Sequence, residues 1–326
     1  MRTELLKYAI TLVIGCVLAA AVCAAEVDYP TRPVRLVVPF PPGGGADFMG
    51  RIVALALSEK RGYAVVIDNR GGAGGAIGTD MVARATPDGY TLVLANNTTH
   101  VMAAVLNRKL SYDPLRDFTP ISMISYAPQL LVASTAIACR TVAELIALAQ
   151  SKPGMLNYAS GGNGSQTHLA AELFRITADI KVSHIPYKGT GPGFTALMSN
   201  EAQFMFVSMP AAMPYVQSGR IRALAITGAR RSTLLASMPT LAESGVRGFE
   251  INPWFGVLGP ARLPAPIVRK LHGDVVASIR SEDTTQRLAS QGAEPIASTP
   301  DEFAAVIKRE LEQWSRIVNQ IGLRND

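Results

Sequence analysis

Cysteine is scarce in this 326-residue chain, which contains three. Cys16 and Cys23 lie in an N-terminal apolar segment, so a chain that loses this segment keeps Cys139 alone. A single cysteine excludes an internal disulfide and a cysteine-based metal cluster. His100, His184 and His272 also lack the spacing of metal ligands, and we interpret them as incidental. We therefore predict a protein without a bound metal or cofactor.

Charged residues are also few, at 17% of the chain, and the formal net charge is +6. The charges are scattered, with no basic run and no interleaved aromatic residues of the kind that nucleic-acid binding requires. We therefore exclude nucleic acid as a partner. The low charge is typical of a compact globular protein with many buried apolar strands.

Long apolar runs are limited to the N-terminus, where Arg2 and Lys7 precede the apolar residues Tyr8 to Ala21. Small residues follow, which predicts a signal peptide over residues 1–25 with cleavage near Ala25. With such a signal peptide, we expect the protein to be exported, and to be periplasmic in a cell that has an outer membrane. The alternative is a lipoprotein cut before Cys16, but that cut leaves a very short apolar core.

A strand-to-helix junction organises the start of the mature chain. The apolar residues from Val34 to Phe40 predict a buried strand, which ends at the sequence Pro41-Pro42-Gly43-Gly44-Gly45. Asp47 is a candidate N-cap for the helix that follows. Its predicted apolar positions are Phe48, Ile52 and Leu55. Such a junction offers backbone N–H groups to an anion; the alternative is a tight turn without a ligand.

The same arrangement recurs after Met155, where a predicted strand, the Gly- and Ser-rich loop Ser160 to Ser165 and a helix follow each other. The first loop does not have the glycine spacing of a dinucleotide site or of a P-loop. A third glycine cluster, from Gly71 to Gly78, also misses that spacing, and we expect it to let a helix start close to the sheet. Two junctions that face one cleft suit a carboxylate.

Short apolar strands alternate with amphipathic helices over the rest of the chain, which predicts an α/β fold with largely parallel sheets. Thr141 and Glu144 form a capping box, and a long closing helix is predicted from Asp301 to Ile321. We divide the mature chain into a first domain, residues 26–126 and 252–326, and a second domain, residues 127–251.

Five stretches carry a resemblance to a known family. They are YPTRPVRLVVPFPPGGGADFMGR from Tyr29, VIDNRGGAGGAIGTDMVARATPDGYTL from Val66, LSYDPLRDFTPIS from Leu110, YASGGNGSQTHLAAELF from Tyr158 and HIPYKGTGPGFTALM from His184. With them, nearly all of the mature chain resembles the Bug-type extracytoplasmic solute receptors related to tripartite tricarboxylate transporters.

The resemblance implies a periplasmic-binding-protein-like fold, in which two α/β domains joined by two crossing strands close over one small carboxylated solute. It implies backbone amides, hydroxyls and bridging waters as ligand contacts. The contacts implied in the first domain are Phe40, Pro42, Gly43, Gly44, Gly45, Asp47 and Asn96; those in the second are Ser160, Gly164, Ser165, His168, Tyr187, Lys188 and Gly189.

One departure from the family concerns Val207, where relatives commonly carry an acidic residue that meets an amino group of the ligand. We therefore expect a dicarboxylate or aromatic carboxylate rather than an amino acid. Three of the implied contacts have alternative roles. His168 is equally suited to packing within its helix, and Lys188 to a solvated position without a ligand. Asp47 is better suited to capping the helix than to contacting the ligand, since its carboxylate would repel a ligand carboxylate.

An enzyme is the competing class, but Ser165 lacks the G-x-S-x-G setting and no H-E-x-x-H motif occurs. We therefore predict a monomeric binding protein without catalytic activity. Its partner is a membrane permease for uptake or, as the alternative, a membrane signalling receptor that senses the bound solute.

Overall fold

A computed structural model describes residues 28–42, 45–107, 109–163, 165–187, 189–228, 230–249 and 251–321. The predicted signal peptide lies outside these residues. So do four of the predicted ligand contacts, which are Gly43, Gly44, Gly164 and Lys188. No helix among the described residues is both long and apolar enough to span a bilayer.

The described residues form eleven strands in two sheets. The strands are β1 (Val34–Val38), β2 (Val65–Asn69), β3 (Thr91–Asn96), β4 (Phe118–Tyr126), β5 (Gln129–Ser134), β6 (Asn157–Ser160), β7 (Ser183–Pro186), β8 (Phe204–Ser208), β9 (Ile221–Ile226), β10 (Trp254–Pro260) and β11 (Glu294–Pro295).

Ten α-helices cover these sheets in the described part of the chain. They are α1 (Gly45–Arg61), α2 (Ala76–Ala83), α3 (Ala103–Leu106), α4 (Val142–Ser151), α5 (Gln166–Thr177), α6 (Thr190–Met198), α7 (Met209–Gln217), α8 (Ala265–Ile279), α9 (Glu282–Ser290) and α10 (Pro300–Ile321). A π-helical turn, Thr98–Met102, follows β3 directly.

Each domain contains one sheet. The first has the order β11-β4-β10-β3-β1-β2, and the second has the order β7-β6-β8-β5-β9. The predicted α/β class with two domains is therefore confirmed. The expectation of largely parallel sheets is wrong, because β10 is antiparallel to both of its neighbours and β5 to both of its own. Both antiparallel strands directly follow a crossing between the domains. The chain therefore enters each sheet at the edge where the parallel strands end.

The strand directions place the carboxyl ends of β1, β2, β3 and β4 at one edge of the first sheet. In the second sheet, β6, β7 and β8 are parallel, and Gln129 at the start of β5 pairs with Ser208 at the end of β8. Only residues 127 and 128 separate β4 from β5. The carboxyl edges of the two sheets must therefore face each other across this crossing.

A second crossing runs beside the first. The N–H of Ile251 donates to the carbonyl of Thr227 in the second domain at 3.1 Å, and the N–H of Ala127 donates to the carbonyl of Pro253 at 2.7 Å. Trp254 then begins β10 in the first sheet. The two predicted crossings are thus confirmed, whereas the exact domain bounds stay a prediction.

The predicted apolar face of α1 is wrong. Phe48 and Leu55 are 47% and 42% exposed, while Met49, Val53 and Leu57 are buried. Apolar residues occur around the whole helix, so periodicity alone does not select the buried stripe. Gly50 determines which face of α1 packs on the sheet, because its missing side chain lets the helix approach Val38 of β1 closely.

The apolar core links the two domains on one side of the molecule. One continuous cluster includes Val93 of the first sheet, Phe204 of the second, Leu169 of α5 and Trp314 of α10. The predicted closing helix is confirmed as α10, and its buried residues Phe303, Ile307 and Trp314 belong to this shared core. The first domain therefore contributes a helix that packs against the second.

We expect Gly256→Ala in β10 to destabilise the protein. A Cβ there would overlap the ring of Phe303 and lie 3.1 Å from the carbonyl oxygen of Ser122. Overpacking of this kind costs about 1–3 kcal/mol of the free energy of unfolding.

The matched control is Gly273→Ala in α8, where a Cβ meets no atom within 4 Å. Alanine in a helix interior should raise stability by roughly 0.5–1 kcal/mol. Urea unfolding of both variants measures the two effects, and equal changes in both would contradict the packing described for β10.

Candidate functional site

Six strand-to-helix junctions border the gap between the two carboxyl edges. In the first domain, β1 leads to α1, β2 to α2, and β3 to the π-helical turn. In the second domain, β6 leads to α5, β7 to α6, and β8 to α7. Each junction presents the start of a helix, with its unpaired N–H groups, to the same gap. The two junctions expected from the sequence are therefore part of a larger set.

Asp47 supports the first loop from inside α1. It lies in the first turn of the helix, which begins at Gly45, so its prediction as N-cap is wrong. Its carboxylate is buried and accepts hydrogen bonds from Nδ2 of Asn69 and Nε of Arg51, both at 3.0 Å. Nδ2 of Asn69 also donates to the carbonyl of Phe40 at 3.1 Å. Asn69 thus ties the end of β2 to the predicted binding loop.

The glycine cluster after β2 packs against the same loop. Gly75 has a φ of +94°, and a Cβ there would come within 3.1 Å of the carbonyl oxygen of Pro39 and 3.3 Å of the ring of Phe40. A Cβ at Gly78 would likewise lie 3.1 Å from Cα of Pro39. The expectation that these glycines allow close approach is confirmed. Pro42 and Gly45 lie on the exposed side of the loop.

Asn96 ends β3 and shapes the third junction of the first domain. Its Oδ1 accepts a hydrogen bond from the N–H of Thr99 at 3.1 Å, and its own N–H donates to Oγ1 of Thr99 at 3.2 Å. The next residue, Asn97, connects distant parts of the domain. Its Oδ1 accepts from the N–H of Trp254, and its Nδ2 donates to Oε2 of Glu310, both at 2.6 Å.

Serine and threonine side chains stabilise the loop before α5. Ser165 is the N-cap, and its Oγ accepts a hydrogen bond from the N–H of His168 at 3.2 Å. Oγ1 of Thr167 accepts from the N–H of Gly161 at 2.9 Å. In the part of the chain that the structure describes, the N–H groups of Gln166 and Thr167 donate to no protein acceptor. These two donors remain available to an anion.

The loop after β7 lies beside the loop before α5. The N–H of Tyr187 donates to the carbonyl of Ser160 at 3.1 Å, and the N–H of Gly189 donates to the carbonyl of Gly161 at 3.3 Å. Gly189 is the N-cap of α6 with a φ of +99°, a conformation that favours glycine. The ring of Tyr187 packs against the apolar core of the second domain. The structure therefore places two helix starts side by side.

Stacked rings support this loop from below. His168 and His184 are parallel with ring centroids 4.1 Å apart, and Tyr158 stacks on His184 at 4.8 Å. Nε2 of His184 lies 2.6 Å from Oγ of Ser160, which also accepts from the N–H of Gly162 at 3.1 Å. His184 was predicted to be incidental, but it fixes the end of β6.

Burial makes both histidines less basic. It lowers the pKa of His184 to about 4, and the neighbouring His168 contributes in the same direction. Burial also lowers the pKa of His168, although the carboxylate of Glu172 opposes this effect. For Glu172, burial alone would raise the pKa, but hydrogen bonds from Arg175 and Tyr158 outweigh it and hold the pKa below its usual range. The stack is therefore neutral near pH 7.

Ser160 and His184 resemble the nucleophile and base of a hydrolase. However, Ser160 is fully buried, so a substrate in the gap does not reach its hydroxyl. Val207 is also fully buried, and it packs with Leu130 and Ile226 in the core of the second domain. The exposed residue at the end of β8 is Ser208. No carboxylate occupies this strand end.

A partly open cavity of about 50 Å³ lies at the floor of the gap, beside the crossings. None of the contacts predicted from the sequence lines it, although Asn97 and Gln166 directly follow two of them. Its lining combines both domains, the crossings and α10, and consists of Asn97, Met102, Tyr126, Gln166, Leu169, Ile251, Asn252, Pro253, Arg309, Glu310, Gln313 and Trp314. The described residues contain no cluster of three or more acidic, histidine or cysteine side chains suited to a metal.

Comparison with known proteins gives a consistent result. Residues 49–323 match the family model described as "Tripartite tricarboxylate transporter family receptor". Protein BugT of Bordetella pertussis is 37% identical over 316 residues, which cover 96% of this chain and 97% of BugT.

Solved structures show the same similarity. The protein Rpa4515 of R. palustris, solved with adipate, is 37% identical with a TM-score of 0.78, and the match covers 90% of this chain and 99% of that one. MatC from Rhodopseudomonas palustris, solved with bound malate, is 31% identical with a TM-score of 0.73, covering 89% and 100%. The predicted periplasmic-binding-protein-like fold is confirmed.

We expect Asn69→Ala to destabilise the first loop, because it removes the donor shared by Asp47 and Phe40 and leaves a buried carboxylate with one partner fewer. The free energy of unfolding should fall by about 1–3 kcal/mol. Urea unfolding measures this loss. The control is Asn319→Ala, at an exposed position of α10, which should not lower the stability. Similar values for the two variants would contradict the role of Asn69.

The histidine stack predicts a loss of stability in acid. Because the pKa of His184 falls from 6.5 to about 4 on folding, the unfolded chain binds protons that the folded protein excludes. Stability is thus complete above about pH 6.5 and decreases as the pH falls toward 4. His184→Gln should make this decrease shallower, as measured by melting temperatures at pH 7.5 and 4.5. Parallel pH profiles for both proteins would refute the stack's contribution.

Proposed function

Because this chain belongs to the tripartite tricarboxylate transporter family receptors, we propose that it captures a small carboxylated organic anion between its two domains for uptake. The observation that carries this proposal is the pair of facing carboxyl edges, each with three helix starts. We propose further that the protein works as a monomer in the periplasm and delivers its solute to a membrane permease.

The chemistry of the gap favours an anion. A helix start carries a partial positive charge, and each one stabilises a nearby negative group by about 0.3–1 kcal/mol. Gln166 and Thr167 add N–H donors that have no protein acceptor in the described residues. The first loop, held by Asn69 and Asp47, faces them from the other domain. A carboxylate placed here replaces its hydration with hydrogen bonds from both domains.

The residues at the strand ends favour a ligand without an ammonium group. Ser208 is exposed at the end of β8, and the carboxylate of Asp47 is already bound by Asn69 and Arg51. Among relatives, Rpa4515 was solved with adipate and MatC with malate. We therefore propose a dicarboxylate as the solute class. Ligand contacts from Phe40, Pro42, Gly45, Asn96, Ser165 and Gly189 belong to this proposal, as do those predicted from Gly43, Gly44, Gly164 and Lys188. In contrast, Asp47, Ser160 and His168 support the loops, and Tyr187 and Val207 pack in the apolar core of the second domain.

A ligand screen tests the solute class. We expect adipate or malate to raise the melting temperature, because a ligand at about 100 times its dissociation constant adds roughly 2.7 kcal/mol of stability. Aspartate and glutamate should give smaller shifts. If only amino acids with ammonium groups stabilised the protein, the proposed class would be wrong.

A substitution in the first loop tests the location. Gly45 is exposed, and a Cβ there meets no atom within 4 Å, so Gly45→Val should fold normally. Its side chain would instead occupy the gap, and we expect affinity for the dicarboxylate to fall by at least about tenfold, or 1.4 kcal/mol.

The control for this experiment is Gly273→Val, which makes the same change on the exposed face of α8. Calorimetric titration of both variants gives the affinities, and melting temperatures report folding. Unchanged affinity in a folded Gly45→Val protein would move the binding site away from the start of α1.

A further inference from the structure

The partly open cavity at the floor of the gap is lined in part by an exposed arginine that the binding loops do not explain. Arg309 lies on α10 and lines this cavity together with Asn97 from the end of β3 and Gln166 from the start of α5. No ion pair or hydrogen bond to its guanidinium occurs among the described residues. Arg309 is therefore a charged donor set at the meeting point of the two domains, without a protein acceptor there.

The other charged group of the cavity is already engaged. Oε2 of Glu310 accepts hydrogen bonds from Nδ2 of Asn97 at 2.6 Å and from Nε1 of Trp254 at 2.9 Å. This carboxylate thus holds the crossing in place from α10. The lining also includes the side-chain amides of Gln166 and Gln313, which can donate to an oxygen. The cavity therefore offers one guanidinium and several amide donors to a negative group.

The size and position of the cavity suit one end of a ligand. A volume of about 50 Å³ is enough for roughly three waters or one carboxylate group. Gln166 connects it to the proposed site, because its side chain lines the cavity while its N–H belongs to the start of α5. A solute held at α5 by one carboxylate can therefore extend its other end to the cavity.

We propose that this cavity is the distal carboxylate subsite, and that Arg309 determines the preference for dicarboxylates over monocarboxylates. The proposal rests on the proposed function and adds a specificity residue to it. The helix starts bind the first carboxylate through backbone N–H groups, while Arg309 forms an ion pair with the second carboxylate when the ligand has one. A planar guanidinium suits this role because it can bind both oxygens of a carboxylate.

The experiment compares adipate with hexanoate, which has the same chain length and one carboxylate fewer. Calorimetric titrations use wild type, Arg309→Gln and Arg309→Lys. We expect Arg309→Gln to bind adipate about tenfold more weakly, which is the loss expected for one exposed charged hydrogen bond. The affinity of this variant for hexanoate should not change. Arg309→Lys should keep part of the preference for adipate, because it keeps the charge.

Arg316→Gln is the matched control. Arg316 lies two turns further along the same stripe of α10, donates to the carbonyl of Glu312 at 3.3 Å and does not line the cavity. Arg316→Gln removes the same charge at a position outside the cavity. It should therefore leave the affinities for adipate and hexanoate unchanged.

Three results would overturn the subsite while leaving carboxylate capture intact: equal losses for both acids in Arg309→Gln, no loss for either, or the same loss in Arg316→Gln. Wild type that bound neither adipate, malate nor hexanoate would instead reject the proposed function, and the subsite with it.

Discussion

The two-residue crossing at Ala127 and Pro128 is the constraint on which the rest of the structure depends. It joins the carboxyl end of β4 to the start of β5, whose first residue pairs with the last residue of β8. With so short a connection, the carboxyl edges of both sheets must face each other. Every helix that follows a parallel strand then starts at the interdomain gap. The position of the proposed site therefore follows from the topology before any side chain is considered.

Side chains in this region mainly hold the backbone in place. Asn69 and Asp47 hold the first loop, and Ser165 and Thr167 close the turn before α5. Below that turn, His184 supports Ser160 through a hydrogen bond and a ring stack. This division of roles fits the proposed capture of an anion by a protein with few charged residues, because the donors are N–H groups and burial keeps the supporting histidines neutral.

Sequence patterns predicted the junctions well because each has a local signal. A short strand, a glycine or serine loop and a helical period occur in order at both Val34 and Asn157, although the strand is rich in valine only at Val34. Capping residues such as Thr141 and Glu144 were confirmed. The buried face of α1 was missed, because apolar residues surround that helix and the contact with Val38 is set by Gly50. His184 was missed for a related reason, since its stacking partner comes from another element.

The floor of the gap could not be predicted from local patterns. Asn97 and Glu310 are 213 positions apart in the chain, and only the packing of α10 across the crossings brings them together. Arg309 carries no signal in its own segment that separates it from Arg316 or from any other exposed arginine. What distinguishes it is a cavity built from both domains, and such a cavity follows from tertiary structure alone.

A crystal structure of the protein with adipate tests the central claim most directly. We expect one carboxylate between the facing edges, with its oxygens about 2.7–3.2 Å from the backbone nitrogens of Gln166 and Thr167. Adipate bound on an outer face of either domain, with the gap between the sheets occupied only by water, would contradict the claim.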